Sequence, residues 1–389
     1  MPPSTIGRCL DVLRCPVTRE PLAFLSGDEI AAANRDLAAG RRLLRDGSAA
    51  RTPLAGALAT ADRAFIYRVE DEIAWLLPSL ALVRPEAATA GLAAEKTLVK
   101  SFYDDFGWVK KADGQFNDTA EFTLPRAVAQ DYLRHCNARI GRWLGGGRLL
   151  LDAASGAIPH QEYLAYSAGY DVRVCVDFSI RALREARAKL GDRGLYLLGD
   201  LTCLPLADGS VDAAISLHTI YHIPPGQQTT AVDELARVTR PGGRVVIVYV
   251  WGRSLAMDMV FKVRGWLGFI RRLGRPSPVA GTRGDAASRG VPSLYFQPQN
   301  HDWFARDIAA RHSARLRVWS AISTAFQTRF FTDGVVGRLS VAVVKTLEAA
   351  WPALAGRFGQ YPMFIIDKPR GARREPPGSG GCPPAPASG

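Results

Sequence analysis

Three apolar runs in this chain each close on an aspartate. "RLLLD" ends at Asp152, "VRVCVD" at Asp177 and "LYLLGD" at Asp200, so the acids recur after 25 and then 23 residues. Runs this apolar and this short read as strands buried on both faces. Strands alternating with helical stretches build a parallel sheet covered by helices on both sides. In such a sheet a ligand lies beyond the carboxyl ends of the strands, where the strand order reverses. Each aspartate therefore stands where a ligand would.

The rhythm extends along the chain. Strands are expected at 148–153, 172–177, 195–199, 211–217 and 244–250, with helices at 126–143, 160–168, 179–190 and 227–239. Two further strands, 315–322 and 361–367, flank a helical stretch near 335–356. Residues 1–85 carry strand-like ends, "LDVLRCPVTREPLAFL" and "RAFIYRVEDEIAWLLP", around an alanine- and arginine-rich middle, and read as a small α+β module. Residues 86–99 read as a linker passing into a helix, 100–250 as the ligand-binding core and 251–368 as a substrate-recognition insertion with a closing hairpin. The tail 369–389 is rich in Pro, Gly and Ser and is expected to be disordered.

Composition excludes several classes. No stretch reaches about 18 uninterrupted apolar residues, so no membrane span is expected. The first residues lack the apolar region of a secretory signal. The six cysteines contain no CxxC pair, which suits reduced thiols in a cytoplasmic protein. The formal charge of +12 is mostly arginine spread along the chain, without an RNA- or DNA-binding motif, so nucleic acid is not the expected partner.

The residues after each strand suggest their chemistry. Asp152 leads into "AASGAIP", where Ala154, Ser155 and Gly156 are small enough to let a ligand approach backbone N–H groups. The plainer reading is an ordinary strand-to-helix turn. Asp177, followed by Phe178, suits the two hydroxyls of a ribose, and equally Asp177 or Ser179 suits the cap of the next helix. Asp200 can accept from an exocyclic amine while Leu201 offers its backbone N–H to a ring nitrogen.

Taken in order, "LLLDAASGAIP", "VCVDFS", "LLGDLTCLPLADGSVDAAISLHTIYHI" and "ELARVTRPGGRVVIVYVWG" resemble successive motifs of class I S-adenosylmethionine-dependent methyltransferases of the UbiE-like group. The resemblance covers roughly residues 100–250. It implies a Rossmann-like, doubly wound sheet of seven strands, the last antiparallel, with S-adenosylmethionine as cofactor. Asp152 and Gly156 match the acid and central glycine of the family's first motif; Ala154 and Ile158 stand where its other glycines would be. Asp177 matches the ribose acid, Asp200 and Leu201 the adenine-contacting pair, and Ser216 and Leu217 the segment beside the cofactor's methionine. The N-terminal "CPVTREPL" and "FIYRVEDEIAWLL" are similar to a Trm112-like module. The zinc-binding versions use four cysteines; here only Cys15 remains, with Thr18 where a partner is expected, so no metal is expected.

"SLHTIYHIPP" places His218 and His222 four residues apart after the fourth strand. Either suits a general base for a hydroxyl acceptor, His218 being preferred; both packing around the cofactor is the plainer reading. Family members acting on adenine or glutamine nitrogens carry an Asn/Asp-Pro-Pro pattern here, so the resemblance implies an oxygen or carbon of a small-molecule, glycan or lipid-linked acceptor. "SFYDDFGW", 101–108, reads as an aromatic lid or a packed helix, and 293–307 as a further wall of the pocket. The basic, apolar stretch 253–275 suits peripheral contact with an anionic membrane, or a helix packed on the sheet. A nicotinamide-dependent oxidoreductase, for which Asp177 would also suit a ribose, and a non-catalytic binding protein are the alternatives.

Overall fold

The computed structural model describes residues 4–89, 94–120, 124, 126–254, 257 and 294–370. Among these residues one sheet of 13 strands runs through the molecule. Its larger part consists of β1 (Gly147–Ala153), β2 (Tyr170–Asp177), β3 (Gly194–Leu198), β4 (Val211–Leu217), β5 (Thr239–Val248), β6 (Ala314–Ser320) and β7 (Tyr361–Asp367). They lie side by side as β3-β2-β1-β4-β5-β7-β6. Pairing is parallel from β3 through β5, and β7 is antiparallel to both of its neighbours. The order reverses between β1 and β4, which is where a ligand is expected.

Alternation along the strands fills both faces. Leu149 and Leu151 enter one apolar cluster and Leu150 the other; Val172, Val174 and Val176 point one way and Cys175 the opposite way. Helices cover the two faces: α1 (Ala94–Phe102), α2 (Ala127–Gly141), α3 (Ile180–Leu190), α4 (Pro225–Val238), α5 (Val335–Ala350) and the short α6 (Pro352–Phe358). Ser179 caps α3, its hydroxyl accepting from the Ala182 amide. The stretch expected as one helix at 160–168 is a single turn, Gln161–Leu164, passing into a 3₁₀ turn, Ala165–Ser167.

The N-terminal segment is built into this sheet. Strand Ile73–Trp75 pairs in parallel with β3, Ile73 opposite Tyr196, and Ile66–Glu70, Gly56–Ala59 and Ala23–Phe24 continue outward. Ile6, Leu13, Tyr67 and Leu76 belong to the same apolar cluster as Leu149 and Val174. The leading residues do not form the long strand that their sequence suggests. They make a 3₁₀ turn at Leu10–Val12 and then bond to the loop after β3: the Arg14 amide donates to the Pro205 carbonyl at 3.0 Å and the Ala207 amide to the Val12 carbonyl at 2.8 Å. Glu234 of α4 closes the contact, accepting from Arg19 at 2.9 Å and from the Leu204 amide at 2.9 Å. Cys15 is buried, its thiol 3.1 Å from the Tyr67 hydroxyl. Within the stretch read as a linker passing into a helix, the chain is helical from Ala94. Of the stretch 253–275, all but Arg253, Ser254 and Met257 lies outside the described residues, as does the tail from residue 371 onward.

Candidate functional site

The loop after β1 keeps the backbone of a glycine-rich turn with fewer glycines. Ala154, Gly156 and Ile158 all take left-handed conformations, at φ 58°, 54° and 50°. The amides of Ala154 and Ser155 donate to the Val176 carbonyl, and Lys189 holds the Ala157 and Ile158 carbonyls at 2.8 and 2.7 Å. Gly156 cannot be replaced in the same way. A Cβ there would stand 2.4 Å from Cζ2 of Trp108. The indole of Trp108 stacks on Tyr103 at 5.6 Å and meets Phe116 edge-on at 5.5 Å, so it has nowhere to retreat.

The aspartates at the strand ends have separate jobs. Asp177 is buried and accepts from the Gly156 amide on one oxygen and the Ser179 amide on the other, both at 2.8 Å. Burial pushes its pKa up to about 6, the two amides pulling the other way. Asp200 is buried too. One oxygen takes the Thr202 amide and hydroxyl, each at 2.8 Å, and the other takes Nζ of Lys96 at 2.6 Å. Asp152 is different. Its carboxylate is bonded by Nε and Nη2 of the buried Arg173 at 3.0 and 2.6 Å, and Arg173 also donates to the Tyr163 carbonyl. Asp152 therefore ties two strands and the 160s turn together, and it does not line the cavity.

One cavity opens at the reversal point. Asp177, Asp200, Ala154, Phe178 and Leu201 line it, together with His222. Ser155, Gly156, Ser216 and Leu217 are not in its lining. Gly156 lies under Trp108, and the Ser216 hydroxyl is spent on Thr219 at 2.7 Å. The opposite wall comes from Lys96, Val99, Tyr103 and Trp108, so two aromatics of the segment 101–108 line the site. That wall is pinned: the Ser179 hydroxyl donates to Asp104 at 2.6 Å, and Lys100 pairs with the same carboxylate.

The two histidines part company. His222 faces the cavity, and its Nδ1 lies 2.7 Å from the Tyr295 carbonyl. A carbonyl can only accept, so Nδ1 carries the proton and Nε2 is the atom able to take one up. His218 turns away. At φ 61° its ring is thrown against Trp319, 4.5 Å between centroids, and Tyr361 at 5.7 Å. Burial pushes its pKa down to about 3, which leaves it neutral and unsuited to proton uptake. The preference for His218 as base is thus corrected by the left-handed turn that ends β4.

Lys96 is the residue that sequence reasoning missed. It lies 104 residues before its partner, in a stretch that reads as linker, and a lysine at helical spacing gives no sign of facing inward. The donors and acceptors fit an adenosyl ligand. Two buried acids suit ribose hydroxyls and an exocyclic amine, Leu201, Phe178 and Ile223 offer apolar contact to a ring, and Nε1 of Trp108 is buried with no partner among the described residues.

Comparison with known proteins bears on the same segment. Residues 151–247 match a family described as Methyltransferase domain. A demethylmenaquinone methyltransferase of Paenarthrobacter aurescens (strain TC1) is 38% identical over 101 residues, 26% of this chain and 38% of that protein. One of Mycolicibacterium paratuberculosis is 33% identical over 121 residues, 31% of this chain and 50% of that protein. The chain thus spans half or less of the length of these curated relatives. Among solved structures it is similar to magnesium protoporphyrin IX methyltransferase from Synechocystis PCC 6803 with bound SAH, at 15% identity and a TM-score of 0.39, covering 70% of this chain and 99% of that one. The segment 151–247 is a methyltransferase domain, and S-adenosylmethionine is the cofactor of that domain.

Proposed function

We propose that this chain transfers the methyl group of S-adenosylmethionine to an oxygen or carbon of a small-molecule, glycan or lipid-linked acceptor. The observation that carries the reading is the pair of buried acids, Asp177 and Asp200, closing neighbouring strands and facing one cavity with apolar walls. When bound, S-adenosylmethionine supplies a methyl group that is already electrophilic. The protein's task is then to align an acceptor and keep water out.

Asp177 would hold the ribose hydroxyls, its two amide donors keeping the carboxylate oriented. Asp200 would meet the adenine amine, with Lys96 sharing the carboxylate. Tyr103 and Trp108 exclude water from the opposite side. His222 would take the acceptor's proton at Nε2 while Nδ1 stays on the Tyr295 carbonyl. The N-terminal segment, read as a Trm112-like module, would act by buttressing the loop that carries Asp200 and Leu201, through Arg14, Arg19 and Glu234. The names of the curated relatives make a quinone ring the acceptor to try first.

Calorimetric titration of the purified chain with S-adenosylmethionine, its demethylated product and NADH tests the cofactor half. Heat with the first two and none with NADH is expected, and heat with NADH alone would restore the oxidoreductase reading. Labelled methyl transfer to a demethylated quinone, a phenol and a lipid-linked sugar tests the acceptor half. His222→Ala should then cut turnover far more than cofactor affinity. Tight cofactor binding with no transfer to any acceptor would favour a non-catalytic binding protein.

A further inference from the structure

The outer surface of α5 and α6 inverts the usual arrangement of a surface helix. The acidic residue of α5, Glu348, faces inward: it accepts from Arg139 at 2.7 Å, from the Tyr132 hydroxyl at 2.6 Å and from the Ala321 amide at 2.7 Å. Gly337 and Val341 lie on that buried side, and a Cβ on Gly337 would collide with the Thr332 carbonyl. These contacts fix the rotation of the helix. Solvent therefore meets Val335, Leu339, Val343 and Leu347, one every four residues, and then Trp351 and Leu354; Val335 is 83% exposed and Leu339 63%. Eight of the ten large apolar side chains exposed among the described residues fall within 335–358. A contiguous apolar surface of this kind marks an interaction site.

Charge selects the partner. Arg329, Arg338 and Arg357 are exposed on or beside this face. Of the acids of the same stretch, Glu348 is buried on Arg139, and Asp333, just before α5, is exposed and accepts from the Val128 amide at 3.2 Å. A second copy of the chain would bring three cations against three with only Asp333 beside them to receive any. A sheet of anionic headgroups receives them all, and Trp351 suits the boundary between headgroup and acyl chain. The face is also well placed. Nε1 of Trp251, just beyond the carboxyl end of β5, donates to the Gly356 carbonyl, and the Ser254 hydroxyl donates to the Phe358 carbonyl. It thus borders the sheet edge on which the cavity opens.

We propose that the outward face of α5 and α6 lies on an anionic lipid bilayer, with Val335, Leu339, Val343, Leu347, Trp351 and Leu354 entering the boundary and Arg338 and Arg357 on the headgroups. Membrane contact is thereby placed at 335–358, within the described residues, and does not depend on what the cavity binds. Sedimentation of the full chain with phosphatidylcholine vesicles, with and without phosphatidylserine, tests it. The chain should bind the vesicles containing phosphatidylserine, and Leu339→Glu with Val343→Glu should lower the partition coefficient by about tenfold or more at an unchanged melting temperature. Arg338→Glu with Arg357→Glu should abolish the preference for phosphatidylserine. The proposal is overturned if the wild-type chain stays in the supernatant, or if the Glu pair binds vesicles as well as wild type does. It is overturned equally if sedimentation velocity shows a dimer that the Glu pair splits while vesicle binding is unaffected.

Discussion

Asp177 carries its proton to unusually high pH because burial outweighs the two amides that hold it. A ligand whose hydroxyls donate to the carboxylate favours the ionised form. Below about pH 6 that proton must leave before such a ligand binds well. Cofactor affinity is therefore expected to rise between pH 5 and pH 7, by up to about tenfold per unit, and to level off above. Titration calorimetry across that range checks this, and a flat profile would remove Asp177 from the ribose. His218 works on folding stability with its own sign. Its folded pKa of about 3 lies below the ordinary 6.5, so between these values the unfolded chain binds a proton that the native chain refuses. Stability from this residue is full above pH 6.5 and falls as pH drops, by about 2 kcal/mol between pH 7 and pH 5. Asp177 contributes in the opposite direction over an overlapping range. The measurement is therefore the difference in urea midpoint between wild type and His218→Asn, a residue that tolerates the left-handed turn. That turn is also why the role of His218 was not legible in the sequence. Spacing put both histidines beside the cavity, and only the backbone angle separates them.

The loop after β1 and helix α1 act as elements. Three left-handed positions hold the loop, and two of them carry side chains that strain there. Ala154→Gly is expected to stabilise the protein by about 1 kcal/mol, less the extra freedom glycine gains in the unfolded chain. Gly156→Ala should do the reverse and abolish cofactor binding, because its Cβ strikes Trp108. Thermal melts with and without cofactor distinguish the two. For α1 the pair Lys96–Asp200 is the anchor, both side chains being nearly inaccessible. Lys96→Met leaves a buried carboxylate unpaired and is expected to cost about 3 kcal/mol in urea unfolding. Legibility differs by element. The strands were readable because both of their faces are apolar, and β1 to β4 start and end close to the expected positions. The closing wall was half readable, its aromatics visible and its lysine hidden, since an ion pair between distant segments leaves no local pattern.

At the scale of the molecule, the N-terminal residues and the core share a sheet and an apolar cluster. Their sequence looks like a separate module because local pattern says nothing about which strand lies beside which. The described regions are expected to unfold in a single calorimetric transition, and a chain lacking residues 1–85 should lose solubility; two resolved transitions would mean that the segments fold apart. Strand Ile73–Trp75 has a further consequence. It occupies the flank of β3, where a seven-strand sheet would otherwise present bare amides and carbonyls. The sheet now terminates in the two-residue Ala23–Phe24 on that side and, on the other, in β6, which carries Arg315 and Arg317. A short stub and a row of guanidinium groups are poor templates for another chain, so the fold guards itself against fibril-like stacking while leaving its greasy helices open.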